Sequence, residues 1–123
     1  MSGLTLDTGA LIALERDDRD FMTFLKEARR KQIDMAVPAG VVAQAWRDGR
    51  RQARLARFLT QVRIEILDDF RAREAGQLCG LTGTHDVIDA SVVLCARAHQ
   101  HAVVTSDPDD IRRLDPKLVL IPV

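Results

Sequence analysis

The chain has 123 residues, which is enough for one domain that buries its own core without disulfides or a metal. Hydrophobic residues make up 46% and charged residues 29%, and the 18 Lys and Arg balance the 18 Asp and Glu. This zero formal net charge excludes a strong attraction of the whole molecule to nucleic acid, so such binding would depend on local patches. With 4% aromatic residues and no Tyr, a base-stacking platform for single strands is not expected.

Apolar periodicity and turn residues divide the first half of the chain into alternating strands and helices. The sequence predicts a strand at 4–6, a helix at 10–14, a helix from about 21 to 31, a strand at 35–37 and one long helix from Ala39 to about Val62.

The second half of the chain continues the alternation. The sequence predicts a strand at 64–67, a helix at 70–81 closed by Gly83, a strongly apolar helix at 86–100, a strand at 102–104, a short helix after the turn at 107–110 and a strand at 118–123. This order predicts a single α/β domain over residues 1–123, with a five-stranded parallel sheet flanked by helices on both faces.

The cysteines and histidines show little sign of a metal site in the sequence. Cys79 and Cys95 each lie in an apolar helical pattern, so we expect buried thiols. His99 and His101, near a predicted helix end, are expected to interact with the helix dipole instead. We see no secretion signal and no apolar run near the roughly 18 residues of a membrane span, so we expect a cytoplasmic protein without membrane association.

Four aspartates are predicted to lie near the carboxyl edge of the sheet, where open parallel sheets bind their ligands. Asp7 ends the first strand, Asp107 follows the fourth, and Asp86 and Asp89 begin the helix between them, three residues apart and on one face. Carboxylates that converge repel one another, and a hard divalent cation such as Mg²⁺ removes that conflict. A site of this kind is suited to the hydrolysis of a phosphodiester.

Helix capping is the alternative explanation for three of these acids. Asp7, Asp86 and Asp107 each precede a predicted helix, and Pro108 directly follows Asp107, a common pair at a helix start. Asp89 differs because it lies within an otherwise apolar helix with no Lys or Arg nearby in the sequence. A carboxylate buried there needs a partner, which favours a functional role.

Three segments in this order resemble the signature of a known family. They are Leu-Asp-Thr-Gly-Ala-Leu-Ile-Ala-Leu at 6–14, Asp-Ala-Ser-Val-Val at 89–93 and Val-Val-Thr-Ser-Asp at 103–107. In combination they are similar to PIN-domain nucleases, and most similar to the VapC toxins of VapBC toxin–antitoxin systems. The similarity extends over nearly the whole chain.

The resemblance implies a metal-dependent endoribonuclease that serves as the toxin of a type II toxin–antitoxin pair. Asp7 and Asp89 would bind Mg²⁺, for which Mn²⁺ can substitute, and Asp107 would act on the metal through water. Asp86 would be an extra ligand or only a helix cap. The implied catalytic set is Asp7, Asp86, Asp89 and Asp107, and the hydroxyls of Thr8, Thr105 and Ser106 would orient the carboxylates. The implied partners are RNA, a cognate antitoxin and a second copy of the chain.

One position departs from the family pattern. The family usually has a glutamate on the helix after the second strand, and Gln44 stands at the matching position. Glutamine keeps the shape and one acceptor oxygen but removes the charge. The alternative hypothesis is therefore a catalytically weak PIN domain that binds RNA or a protein partner without cleaving.

Five arginines recur at spacings of three and four in the long predicted helix: Arg47, Arg50, Arg51, Arg54 and Arg57. They form either a solvated helix face or a stripe that contacts RNA phosphates or an acidic partner segment.

Overall fold

The computed structural model describes residues 3–123, which form an α/β fold around one parallel sheet. Its strands are β1 Gly3–Leu6, β2 Asp34–Pro38, β3 Arg63–Glu65, β4 His101–Thr105 and β5 Leu120–Pro122. They lie in the order β3-β2-β1-β4-β5, and every neighbouring pair is parallel. The predicted five-stranded parallel sheet is confirmed.

The two central strands are buried along their whole length. Side chains alternate between the faces of the sheet, so Leu4 and Leu6 point to one face and Thr5 to the other. Thr5 faces the strongly apolar helix over 87–99, where its hydroxyl contacts the Cys95 sulfur. The strand order reverses between β1 and β4, which makes the carboxyl ends of these two strands the expected place for a ligand.

Seven helices connect and cover these strands in the described part of the chain. They are α1 Thr8–Glu15, α2 Arg19–Arg30, α3 Ala39–Ala45, α4 Ala53–Leu59, α5 Asp69–Thr82, α6 Val87–His99 and α7 Pro108–Leu114. α1 packs against β1 and β4 with α2, α3 and α4 beside it, and α6 packs across β1, β2 and β4 with α5 and α7 beside it.

Short polar side chains and a glycine set several helix ends. Asp18 and Asp68 accept hydrogen bonds from the backbone of the first turns of α2 and α5, which satisfies amides that have no partner within the helix. Gly83 ends α5 with φ +68°, a left-handed conformation that favours glycine. The end predicted for this helix from Gly83 agrees with the structure.

The long helix predicted from Ala39 to about Val62 is wrong, because the structure breaks it between Ala45 and Ala53. Gln52 stabilises the break: its side-chain oxygen accepts from the amides of Arg47 and Asp48, at 2.7 and 2.9 Å, and its amide nitrogen donates to the Ala45 carbonyl at 2.8 Å. One side chain thus satisfies backbone groups that a continuous helix would have paired. Periodicity of the apolar residues carries no signal of this capping.

Both cysteines are buried free thiols, as predicted. Burial raises the pKa of Cys95 to about 11, so its thiol is protonated at neutral pH. Among residues 3–123 no single helix is long and apolar enough to cross a membrane. Together α5 and α6 reach that length and composition, but they meet at an angle of 107°, and the middle of α6 is buried inside the fold.

Candidate active site

Asp7 lies at the carboxyl end of β1 and is buried, with 5% of its surface exposed. Its carboxylate caps α1 by accepting from the Ala10 amide at 3.0 Å. Burial raises its pKa, hydrogen bonds from the Thr105 hydroxyl and from the Ala10 and Ser106 amides oppose that rise, and the nearby charge of Asp107 adds to it. Asp7 therefore caps a helix, as the alternative explanation predicted, and also lies within range of a second carboxylate.

Asp107 lies just past the carboxyl end of β4, next to Asp7. It begins α7, but its side chain makes no capping hydrogen bond, and its carboxylate is exposed. Its backbone amide donates to the Thr105 hydroxyl at 2.9 Å, which shapes the turn after β4. The capping role expected for Asp107 is therefore absent, and its carboxylate remains available to a ligand.

Gly9 permits this approach of β1 and β4 at their carboxyl ends. A Cβ at position 9 would lie 1.9 Å from the Ser106 hydroxyl oxygen. Because this space admits no side chain, the first turn of α1 packs directly on the turn that carries Asp107. The Thr-Gly pair that follows Asp7 in the sequence thus has a packing role in the site.

Asp89 lies in the first turn of α6 and is only partly exposed. Burial raises its pKa to about 7, and the charges of Asp86, Asp110, Asp7 and Asp107 contribute to the rise, in that order of size. The helix therefore directs Asp89 toward the same region as Asp7 and Asp107. Among the described residues, none of these three carboxylates forms an ion pair with a Lys or Arg side chain.

Asp86 is the N-cap of α6. One of its carboxylate oxygens accepts from the amides of Ile88 and Asp89, at 3.0 and 2.9 Å. The side chain is exposed and its charge acts on Asp89. The structure thus shows the capping role, and a second role as a ligand stays a prediction.

Three polar residues at this site were not predicted from the sequence. Asp110, on the first turn of α7, contributes to the raised pKa of Asp89. It also lines a cleft together with Asp86, Asp89, His85 and Arg113. The signal for Asp110 was its spacing of three residues from Asp107, which places both on one helix face, whereas no local pattern distinguishes His85 or Arg113.

Gln44 lies beside Thr8 at the edge of the site. The Thr8 hydroxyl donates to the Gln44 side-chain oxygen, and Thr8 follows Asp7 in the chain. α3 is also close to α6, since a Cβ at Gly40 would lie 2.5 Å from the end of the Ile88 side chain. The position that matches the family's glutamate therefore lies beside the residue that follows Asp7, and it carries no charge here.

The donor groups of this region are suited to a hard divalent cation. They are carboxylate, hydroxyl and amide oxygens, which Mg²⁺ and Mn²⁺ prefer. In the described chain only one group of three metal-binding side chains brings its ligand atoms within 4.8 Å of one another, and it is formed by other residues, Glu65, Cys95 and His99. The aspartates are thus more widely spaced, as a cation that keeps several of its own waters permits.

The five arginines do not form one helical stripe. Arg47, Arg50 and Arg51 lie in the segment between α3 and α4, while Arg54 and Arg57 lie on α4. Arg50 pairs with Asp48, and Arg54 donates to the Glu15 carbonyl at 3.0 Å. The predicted single face is wrong because the helix that would carry it is broken.

The acidic region therefore lies at the carboxyl edge of a parallel sheet, at the reversal of strand order, with a set of oxygen ligands. The sequence matches the PIN domain family over residues 4–117. The chain belongs to the PIN-domain family.

Solved structures share this fold. The chain is similar to one in the crystal structure of VapBC2 from Rickettsia felis bound to a DNA fragment from their promoter, with a TM-score of 0.72, 19% identity and 98% coverage of both chains. It is also similar to a chain of FitAB bound to IR36 DNA, with a TM-score of 0.71, 16% identity and coverage of 97% and 94%.

A further similar structure is PAE2754 from Pyrobaculum aerophilum, with a TM-score of 0.65, 20% identity and coverage of 98% of this chain and 89% of that one. At these identities the likeness concerns the fold. No curated protein sequence matches the chain significantly.

Proposed function

We propose that this protein is a Mg²⁺-dependent endoribonuclease that hydrolyses RNA phosphodiester bonds and acts as the toxin of a type II toxin–antitoxin pair. The observation that carries the proposal is that Asp7, Asp89 and Asp107 lie at the carboxyl edge of a PIN-domain sheet and form no ion pair with a Lys or Arg of the described chain, whereas the neighbouring Asp110 pairs with Arg113. PIN domains are generally nucleases, and an RNA-cleaving toxin would act in the cytoplasm, where its substrate is.

Asp7 and Asp89 would hold the cation, with Asp107 acting through water and Asp110 and Asp86 adding negative charge nearby. When bound, the cation supplies a hydroxide-generating, charge-neutralising centre for phosphodiester hydrolysis. The Ala10 amide orients Asp7 by donating to its carboxylate, and Thr105 and Ser106 favour its charged form. Arg113 and His85 line the adjoining cleft, where they can contact the phosphate of a bound strand.

A cleavage assay tests the proposal with two asparagine variants that differ in position alone. Asp89→Asn should lower cleavage of a single-stranded RNA in Mg²⁺ by at least about a hundredfold, which corresponds to about 2.7 kcal/mol of transition-state stabilisation. Asp109→Asn is the matched control, because the exposed Asp109 lies on α7 and pairs with Arg112. EDTA should abolish cleavage by the wild type.

This function would be contradicted if Asp89→Asn cleaved RNA at the wild-type rate, or if the wild type still cleaved RNA in EDTA. Gln44 supports a second candidate function, a PIN domain that binds RNA or a partner without cleaving, because the site has one charge fewer than the family usually has. RNA binding without cleavage at any concentration of Mg²⁺ or Mn²⁺ would favour it.

The proposed protein partners are a cognate antitoxin and a second copy of the chain. The similar structures VapBC2 and FitAB support the first, since each is a toxin–antitoxin complex bound to DNA. A short upstream reading frame whose product copurifies with this chain and suppresses its toxicity is the expected finding. A chain that inhibits growth equally with and without that product would count against the pairing.

A further inference from the structure

A second cluster of metal-binding side chains lies away from the aspartates. It consists of Glu65 at the end of β3 and of Cys95 and His99 on α6, whose ligand atoms lie within 4.8 Å of one another. Cys95 is buried and the other two are partly buried. One carboxylate, one thiol and one imidazole thus meet between the sheet and a helix.

The helical geometry of α6 brings two of these groups together. Cys95 and His99 are four residues apart and therefore share one face of α6. Asp89 lies at the other end of the same helix, about 9 Å along the axis from Cys95 and about 15 Å from His99, at 1.5 Å per residue. The cluster is consequently distinct from the candidate active site.

We propose that Glu65, Cys95 and His99 form a binding site for Zn²⁺. Sulfur, nitrogen and oxygen ligands together suit this ion, and three protein ligands leave a fourth position for water. Mg²⁺, which the aspartates would take, is a poor match for sulfur and nitrogen. The chain would therefore hold two metals of different chemistry, one at each end of α6.

The spacing of the three groups requires little movement. In a tetrahedral zinc site with ordinary bond lengths, the ligand atoms are about 3.3–3.7 Å apart. The Nε2 atom of His99 already lies 3.0 Å from Glu65, and no pair in the cluster exceeds 4.8 Å. A cavity of about 10 Å³, close to the smallest volume that holds one water, adjoins Glu65 and Cys95.

Charge and hydrogen bonding also suit the ion. The Cys95 thiol would release its proton to solvent on binding, so that thiolate and carboxylate neutralise the two charges of Zn²⁺. The Thr5 hydroxyl lies 3.6 Å from the Cys95 sulfur and can orient it.

Arg63 would change its partner when the ion binds. Its guanidinium lies 3.2 Å from His99 Nδ1, which carries a proton once Nε2 binds a metal. Because two donors cannot face each other, Arg63 would turn fully to Asp34, whose two oxygens it already contacts at 3.0 Å. The bound ion would join the edge strand β3 to α6 and thereby stabilise that edge of the sheet.

Titration of the chelator-stripped full chain with Co²⁺ and then Zn²⁺ tests the site. We expect wild type to develop a thiolate-to-cobalt charge-transfer band that saturates at one ion per chain and that Zn²⁺ abolishes. Cys95→Ser should lose the band, and Glu65→Gln and His99→Gln should each weaken binding by more than about tenfold. Zn²⁺ should also raise the melting temperature of the wild type.

Two controls separate this site from other cysteines and from the aspartates. Cys79→Ser removes the other buried cysteine, which is outside the cluster, and should keep the band. Asp89→Asn should also keep it, so the outcome is independent of the proposed nuclease. Absence of the band in wild type, or its persistence in Cys95→Ser, overturns the proposal. If Cys95→Ser fails to fold by circular dichroism, unchanged affinity in both Glu65→Gln and His99→Gln overturns it.

Discussion

At the scale of single residues, the surroundings of Asp89 disfavour the negative charge that a metal ligand needs. Its carboxylate lies in the first turn of a buried helix, where burial and four other aspartates disfavour its charge. A cation would reverse that penalty, because it favours the ionised form. The ionised Asp89 carboxylate should therefore lower the stability of the metal-free protein and contribute to binding of the metal ion.

The raised pKa of Asp89 makes a prediction about pH. The folded pKa of about 7 exceeds the ordinary aspartate value of 3.8, so the folded state keeps its proton where the unfolded state has lost it. The stability of the metal-free protein should fall as pH rises from about 4 to 7. Asp89→Asn should remove this part of the pH dependence and, since the carboxylate is partly exposed, add roughly 1–2 kcal/mol to the free energy of unfolding at pH 8.

Urea unfolding in EDTA at several pH values between 5 and 8 measures this effect. Asp109→Asn serves as the control, because its exposed carboxylate should leave the wild-type pH dependence intact. Equal stabilities of wild type and Asp89→Asn at pH 8 would show that the charge of Asp89 is well solvated.

Gln44 gives a second prediction at this scale. Because it contacts Thr8 beside Asp7, Gln44→Glu should place one more negative charge at the site. We expect tighter Mg²⁺ binding and cleavage at lower Mg²⁺, and a wild type that works better in Mn²⁺, which generally binds such sites more tightly. Glutamate and glutamine are nearly isosteric, so the fold should be unaffected.

A Mg²⁺ titration of RNA cleavage by both proteins is the measurement. Gln77→Glu is the control, because it makes the same change at an exposed position on α5. Gln52→Glu would be unsuitable, because Gln52 stabilises the helix break. If the midpoint for Gln44→Glu equals that of the wild type, the missing charge is not part of the site.

At the scale of elements, the break between α3 and α4 changes where the arginines can act. Arg50 and Arg54 have intramolecular partners, Asp48 for the first and Asp17 with the Glu15 carbonyl for the second. The Arg47 guanidinium donates to the Ala43 and Trp46 carbonyls, whereas Arg51 and Arg57 form no side-chain ion pair or hydrogen bond among the described residues. These two side chains are therefore the ones available to phosphates.

Replacing Arg51 and Arg57 together by alanine should weaken RNA binding and flatten its dependence on salt. For a single strand, each phosphate that the variant no longer neutralises should lower the slope of log K against log salt by about 0.7. Binding isotherms at several salt concentrations, with catalysis blocked by Asp89→Asn, provide the measurement. Arg73→Ala is the control, because Arg73 lies on α5 and pairs with Asp69. If the double variant had the same salt slope as the wild type, Arg51 and Arg57 would belong to a solvated surface.

At the scale of the whole molecule, the start of α5 and the edge strand β3 expose an apolar surface. It is formed by Ile64, Ile66, Leu67 and Phe70, of which Ile66 is 76% and Phe70 71% exposed. Contiguous apolar surface of this kind is typical of protein interfaces. We expect it to bury against a second copy of the chain in the proposed homodimer.

Phe70→Glu should raise the dissociation constant of that dimer by at least about tenfold, because it places a charge in an apolar interface. Sedimentation equilibrium over a range of concentrations checks this. Leu81→Glu is the control, since Leu81 is also a strongly exposed apolar residue, near the other end of α5. If Phe70→Glu left the dimer unaffected, this surface would not be the dimer interface. If the variant lost antitoxin binding while the dimer persisted, the surface would be assigned to the antitoxin.

The sequence by itself determined the α/β class, the order of the strands and helices and most of their boundaries. It could do so because these follow from local signals: apolar periodicity, capping aspartates such as Asp86, and Gly83 at a left-handed position. It also predicted that Asp7 and Asp107 lie at one edge of the sheet, since residues that follow strands of a parallel sheet reach a common edge whatever the details of packing.

Only the tertiary structure decided which groups meet across the fold. Gln52 breaks the predicted helix by bonding to Ala45 at the end of α3, to two backbone amides within the break and to Glu15 of α1. Asp110 joins the aspartates, and Glu65 meets Cys95 and His99, through contacts between separate elements. Such contacts leave no local pattern, because they depend on how helices and strands pack and on which side chains are buried together.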